Sequence, residues 1–168
     1  MSTTRRVIIV GLLAAMGLVL SLVETMIPMT TVVPGARLGL ANIVNLIGLL
    51  YINISAGLQI LLLRIVMGSL LTGTFMTVPF FMSFFGGLCG YLAMGLAYYF
   101  FKKKLSVIGI SVLGAVFHNI GQIITAAVIM ETLAIFYYLP FLTLLAVPTG
   151  IGIGLITYFC LNYLQPKR

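Results

Sequence analysis

Apolar residues occur along this chain in long blocks, separated by short stretches that contain polar residues, glycine or proline. A block of roughly 20 apolar residues is long enough to cross the hydrocarbon core of a bilayer as an α-helix. The pattern predicts six such helices and no other regular element. Their predicted ranges are residues 7–27, 38–52, 56–71, 78–101, 107–130 and 141–164.

The composition agrees with an integral membrane protein. Of the 168 residues, 62% are hydrophobic and 7% are charged, whereas soluble domains average roughly 45–50% apolar and roughly 25% charged residues. Six helices use about 120 positions and leave no room for a soluble domain. We therefore expect one all-α domain over residues 1–168. The first apolar run, residues 7–23, exceeds a signal-peptide core and lacks an Ala-x-Ala exit, so we expect it to be retained.

The placement of charge predicts the orientation of the helices. The formal net charge is +7, and an even number of spans puts both termini on one side of the membrane. Excess Lys and Arg marks cytoplasmic loops, so we expect cytoplasmic termini. The outer loops would then contain residues 29–37, 72–77 and 131–140, with Phe136 to Tyr138 at the outer interface. The basic residues of the predicted cytoplasmic side are Arg5, Arg6, Lys102, Lys103, Lys104, Lys167 and Arg168.

Several classes of chemistry are excluded by the residue counts. Aspartate is absent, glutamate occurs twice and histidine once, so clusters of carboxylates that hold magnesium on a diphosphate cannot form. We expect no metal site, no cofactor and no enzymatic activity in this chain. Basic residues at the membrane edges indicate topology rather than a nucleic-acid partner. Cys89 and Cys160 lie singly in apolar blocks, and we expect buried free thiols there.

Three ionisable residues fall inside predicted membrane helices, namely Glu24, Arg64 and His118. Each costs about 2.5–3.5 kcal/mol to insert even on the lenient scale, so such groups face a cavity or a partner. One interpretation is a contact of Arg64 with Glu24 or His118 that only holds the bundle together. The other is a ligand site, which the neighbouring polar residues favour.

Amide side chains occur at depths similar to those of the ionisable residues. Asn42 and Asn45 are three residues apart and share a helix face, as do the residues of the stripe His118, Asn119 and Gln122. Interhelical hydrogen bonding is the alternative to ligand binding for these side chains. We expect an outward-facing cavity under a lid formed by residues 29–37. The predicted cavity residues are Glu24, Arg37, Asn42, Asn45, Arg64, His118, Asn119 and Gln122.

Small residues give the first helix a smooth strip, made by Gly11, Ala14 and Ala15. Such a strip allows another helix to approach closely. The glycines at 150, 152 and 154 lie inside a predicted helix without a following Gly-Lys-Ser/Thr, so they do not indicate a nucleotide-binding loop. The chain therefore has no ATPase of its own.

Four stretches together resemble one family: the Arg-Arg start with Gly-Leu-Leu-Ala-Ala at 11–15, the segment 34–42, Leu63-Arg64 with Gly68 to Leu71, and the segment 114–122. The chain resembles the Gx transporter family, which also carries the label heptaprenyl diphosphate synthase component I. It is similar to the S components of energy-coupling factor (ECF) transporters. The likeness covers nearly the whole chain.

The resemblance implies a six-helix S component in a prokaryotic plasma membrane. Such a subunit captures a small molecule outside the cell and docks on a membrane coupling subunit driven by two cytoplasmic ATPases, which use the ATP. S components commonly dock through an Ala-x-x-x-Ala strip on the first helix, and Gly11 with Ala15 matches its spacing but not its first residue. A vitamin is the usual substrate of S components, and the older label suggests an isoprenoid or quinone precursor.

Other functions remain open from the sequence. The older label indicates a non-catalytic membrane subunit that recruits a soluble prenyl diphosphate synthase. A scaffold of a membrane redox complex would carry a bound flavin, quinone or haem. A solitary transporter is a further alternative, although six short helices without an internal repeat are few for rocking halves.

Overall fold

The computed structural model describes residues 2–26, 39–101 and 104–164, and these ranges contain helices and turns but no strand. The second helix continues directly into a π-helix, Gly48–Ile52, and a 3₁₀-helix, Leu133–Tyr138, precedes the last helix. The α-helices are α1 (Thr3–Thr25), α2 (Asn42–Ile47), α3 (Ile54–Leu71), α4 (Val78–Phe101), α5 (Val107–Ile129) and α6 (Leu139–Leu164).

Five of the helices in the described ranges are long and apolar enough to cross a membrane. The second is shorter, because its α and π parts together cover only Asn42–Ile52. At 1.5 Å per residue it is about 16 Å long, half of the roughly 30 Å that a span needs. The predicted second span, residues 38–52, is therefore a half-length helix. Gly39 has a φ of 84°, which a right-handed helix cannot include, and α2 begins only after it.

The other predicted boundaries lie close to those observed. The α3 and α5 helices begin after Asn53 and Ser106, whose side-chain oxygens accept hydrogen bonds from the backbone N–H groups of Ala56 and Gly109 at 2.8 and 3.1 Å. The predicted outer loop at 131–140 instead contains the 3₁₀-helix, with Tyr137 strongly exposed.

Glycines set the closest helix contacts. A Cβ added to Gly90 of α4 would lie 2.7 Å from the carbonyl oxygen of Gly114 in α5, and one added to Gly150 of α6 would lie 2.7 Å from Cα of Val112. Thus α5 packs antiparallel between α4 and α6. The α1 helix lies beside α3, and α2 fills the centre, where every residue from Asn42 to Leu49 is buried.

The described basic residues at the helix ends lie at one end of the bundle, here called the basic end. Nη2 of Arg6 donates to Oδ1 of Asn53 at 3.3 Å, which brings the start of α1 to the turn before α3. Tyr91 of α4 donates to the carbonyl of Ile54 at 2.5 Å, so the turn with Lys104 follows at the same end. Lys102, Lys103, Lys167 and Arg168 lie outside the described residues.

Both cysteines are free thiols, and Cys89 is exposed on α4 whereas Cys160 is partly exposed. The prediction of buried thiols is therefore wrong for Cys89. An apolar residue on a membrane helix can face lipid instead of protein, so an apolar block does not by itself indicate burial in the bundle.

Candidate substrate-binding site

Every predicted cavity residue within the described ranges is buried, with at most 7% of its surface exposed. These residues come from four helices of the bundle. They are Glu24, Asn42, Asn45, Arg64, His118, Asn119 and Gln122. Arg37 and the predicted lid at residues 29–37 lie outside the described residues.

Three helices meet at Gly39. Its backbone N–H donates to Oε1 of Glu24, at the end of α1, over 2.5 Å. A Cβ added to Gly39 would lie 2.9 Å from Nδ2 of Asn42 and 3.8 Å from Cδ2 of His118. His118 lies midway along α5, so this meeting point is near the middle of the bundle. The second helix starts only at Asn42, inside the bundle, and its first polar residues therefore lie at mid-depth.

The two asparagines of α2 form a hydrogen-bonded pair. Nδ2 of Asn45 donates to Oδ1 of Asn42 at 3.1 Å, as their spacing of three residues predicts. Oδ1 of Asn45 is buried and has no hydrogen-bond partner among the described residues. A buried amide oxygen of this kind can accept a hydrogen bond from a ligand or water.

His118 and Gln122 form a second pair, on α5. Nε2 of Gln122 lies 2.8 Å from Nε2 of His118. An amide nitrogen only donates, so the imidazole Nε2 is the acceptor in this pair. Both side chains rest on glycines of α4: a Cβ on Gly86 would lie 2.6 Å from Cγ of Gln122, and one on Gly90 would lie 3.0 Å from Cβ of His118.

Arg64 joins α3 to α1. Its Nη1 donates to Oγ of Ser21 at 3.1 Å, and its aliphatic stem passes Gly17, where an added Cβ would lie 2.9 Å from Cδ. Ser21 and Glu24 are three residues apart, and both are buried. The guanidinium is therefore held on the face of α1 that also carries the Glu24 carboxylate.

Asn119 does not share these contacts. Its Nδ2 donates to the carbonyl oxygen of Leu142 in α6 at 2.7 Å. The predicted stripe on α5 is therefore divided, because His118 and Gln122 pack on α4 while Asn119 holds α6. For Asn119 the structure gives the interhelical hydrogen bond that was the alternative to ligand binding. The central polar cluster is defined here as Glu24, Gly39, Asn42, Asn45, Arg64, His118 and Gln122.

Two residues of this region were not predicted from the sequence. Ser21 could have been found, because it lies one helical turn before Glu24 and is the only polar neighbour on that face. Gly39 could not, since its role depends on its backbone N–H and its positive φ. Among the described residues, no three of His, Cys, Asp and Glu lie together as metal ligands.

The small-residue strip on α1 is partly accessible. Gly11 and Ala15 are exposed, and no atom lies within 4 Å of a Cβ added to Gly11. Ala14 is 8% exposed and packs into the bundle. A partner helix could therefore reach Gly11 and Ala15 but not Ala14.

A family model described as heptaprenyl diphosphate synthase component I matches residues 13–160. Searches of curated proteins and of solved structures find no match. Component I is the non-catalytic component of that synthase, which confirms that this chain is not itself an enzyme. Its name implies a second subunit, and its apolar helices imply a lipid bilayer. Because the match covers most of its length, the chain belongs to the heptaprenyl diphosphate synthase component I family.

Proposed function

We propose that this chain is the substrate-binding membrane subunit, or S component, of an ECF-type importer. It would capture a small molecule outside a prokaryotic cell and dock on a coupling subunit with two cytoplasmic ATPases. The observation that carries this proposal is the central polar cluster, which collects buried polar groups from four helices at mid-depth in an apolar bundle.

Ionisable groups inside a membrane bundle need polar partners. An ionisable group in a membrane helix costs about 2.5–3.5 kcal/mol to insert. A hydrogen bond between membrane helices stabilises the folded bundle by about 0.6 kcal/mol on average. Glu24 and Arg64 both have partners inside the bundle, and a bound polar ligand would further offset the cost of inserting them.

The residue types favour a ligand with an anionic or strongly polar head. The Arg64 guanidinium is a multiple hydrogen-bond donor, and the amides of Asn42, Asn45 and Gln122 add neutral donors and acceptors. The Glu24 carboxylate already accepts from Gly39. Apolar helix surfaces around the cluster suit a ring or a short prenyl portion, as in a vitamin or an isoprenoid or quinone precursor. Arg37 and residues 29–37 would close over it.

Docking would use the exposed part of the α1 strip. Gly11 and Ala15 lie one turn apart on a helix surface, and the open space above Gly11 leaves room for a partner helix. The coupling subunit and its ATPases would supply the nucleotide chemistry that this chain lacks. With basic residues cytoplasmic, both termini would lie inside the cell.

Two asparagine variants test the binding site. The tagged protein is purified from its own membranes in mild detergent, and retained small molecules are identified by mass spectrometry. We expect the wild type to retain a metabolite and Asn42→Ala to lose it. Asn119→Ala is the matched control, because Asn119 is equally buried but bonds Leu142 on α6. Retention by Asn42→Ala and by Arg64→Ala alike would contradict the proposed site.

The family description favours a second candidate, a membrane subunit that recruits a soluble prenyl diphosphate synthase. Without aspartate the chain cannot provide the magnesium-binding clusters of that reaction. Its role would then be to hold the catalytic partner at the membrane. Co-purification of that soluble enzyme in place of ATPases distinguishes the two candidates.

A further inference from the structure

A groove runs between α1 and α3 on the outer surface of the bundle, apart from the central polar cluster. Its volume is about 790 Å³, and it extends from Thr3 to Gly11 along α1, about 12 Å at the rise of an α-helix. Its walls are mainly aliphatic, with Val7, Leu63 and Met67 exposed toward the groove or the surrounding lipid.

A fixed cation lies at the basic end of this groove. Arg6 lines it and is half-buried, and its Nη2 donates to Oδ1 of Asn53 at 3.3 Å. The same oxygen accepts from the N–H of Ala56 at 2.8 Å and caps α3. This bond engages one of five guanidinium donors and holds the group at the mouth of the groove.

Two further features mark the groove as a place for a ligand. Gln59 is exposed on its α3 wall, although an amide in contact with lipid tails is unfavourable without a polar partner. Gly11 leaves its floor unfilled, since no atom lies within 4 Å of an added Cβ. The two glutamates of the chain are elsewhere, at 24 and 131, so neither glutamate lines the groove.

We propose that this groove binds an anionic phospholipid of the surrounding bilayer, with the phosphate on Arg6 and one acyl chain along the aliphatic walls. A guanidinium binds phosphate through paired N–H donors and is the preferred partner for it. The Gln59 amide can bond the ester carbonyls below the headgroup. Charge and wall chemistry are thus complementary to such a lipid.

Neighbouring arginines give a matched test. The purified chain is exchanged into vesicles of phosphatidylcholine with phosphatidylglycerol, extracted again, and weighed by native mass spectrometry. We expect one retained phosphatidylglycerol per wild-type chain. Arg6→Gln should weaken this by at least about fivefold, the effect of one basic residue at an anionic lipid surface. Arg5→Gln should leave it unchanged, because Arg5 is exposed outside the groove.

A second variant tests the acyl-chain part. Gly11→Leu adds bulk to the floor of the groove, where the new Cβ meets no atom within 4 Å, so the fold should persist. We expect it to lose the lipid while Arg6 stays in place. The proposal would be overturned if Arg6→Gln and Gly11→Leu both retained as much phosphatidylglycerol as the wild type. It would also be overturned if the wild type retained phosphatidylcholine as strongly as phosphatidylglycerol. Lack of any phosphatidylglycerol retained by the wild type would also overturn it.

These measurements use the isolated chain and no transported substrate. The lipid would occupy the groove of the undocked chain, and a coupling subunit that docks over Gly11 would displace it. Retention of the lipid by the isolated chain therefore does not depend on the proposed import function.

Discussion

At the scale of single residues, the site depends on a carboxylate that meets a backbone N–H. Glu24 lies at the end of α1, and Gly39 precedes α2. The hydrogen bond of 2.5 Å between them joins the two ends of a segment whose middle lies outside the described residues. A buried backbone N–H group needs an acceptor, and Gly39 finds one in the Glu24 carboxyl group. This bond therefore fixes where α2 begins, and with it the position of Asn42.

Replacing the carboxylate should be costly. Glu24→Ala leaves the N–H of Gly39 without this acceptor in a buried place, and we expect a loss of about 1–3 kcal/mol in the free energy of unfolding. Unfolding in detergent, followed by circular dichroism, measures it. Glu131→Ala is the control, because the only other acid of the chain is exposed and should change stability by less than about 0.5 kcal/mol. Equal stability of the two variants would contradict the assigned role.

A pair of glycine variants separates backbone strain from contact with the site. Gly39 and Gly73 have φ values of 84° and 66°, so alanine at either should cost about 1–2 kcal/mol. Only at Gly39 would the new Cβ meet the site, 2.9 Å from Nδ2 of Asn42. We expect Gly39→Ala to lose the retained metabolite and Gly73→Ala to keep it. Loss from both variants would show that the site is not local to Gly39.

Sequence patterns predicted which polar side chains share a helix face but not all of their partners. Spacing of three or four residues correctly placed Asn42 with Asn45, and His118 with Gln122, on one helix face. The same argument wrongly grouped Asn119 with them, because side chains one residue apart on a helix diverge by about 100°. The partner of Asn119 is a backbone carbonyl of another helix, which no side-chain pattern indicates.

At the scale of helices, the structure consists of five long helices around one short one. The long helices follow from their apolar length, and their predicted ends deviate by only a few residues. The half-length α2 was not predicted, because apolar composition continues across the point where Gly39 takes a positive φ. Because α2 starts inside the bundle, its polar residues lie at mid-depth. A full-length span would have placed them nearer the surface.

Contact between α4 and α5 depends on glycine. In Gly90→Ala the new Cβ would lie 2.7 Å from the Gly114 carbonyl oxygen, a backbone atom that moves only with its helix. We expect a loss of about 1–3 kcal/mol from overpacking, measured by thermal unfolding. Gly95→Ala on the same helix is the control, since its Cβ meets no atom within 4 Å. A Gly90→Ala protein as stable as that control would contradict the close α4–α5 packing.

At the scale of the whole molecule, a hydrophobic bundle encloses one polar cluster and exposes a small-residue strip on its first helix. The family match indicates a non-catalytic component, and the family name implies a second subunit. Length and composition were enough to predict a multi-helix membrane protein. They could not identify the partner. Gly11 and Ala15 allow a helix to approach closely, but they carry no chemical group that specifies which helix docks there.

The most direct test of the proposed function is a mass-spectrometric inventory of proteins that co-purify with the tagged chain from its own membranes in mild detergent. We predict stoichiometric recovery of a coupling membrane protein and two ATPases. Gly11→Leu should lose them, whereas Gly152→Leu on α6, where the added Cβ also meets no atom within 4 Å, should keep them. Recovery of a soluble prenyl diphosphate synthase, or of no ATPase, would contradict the importer function.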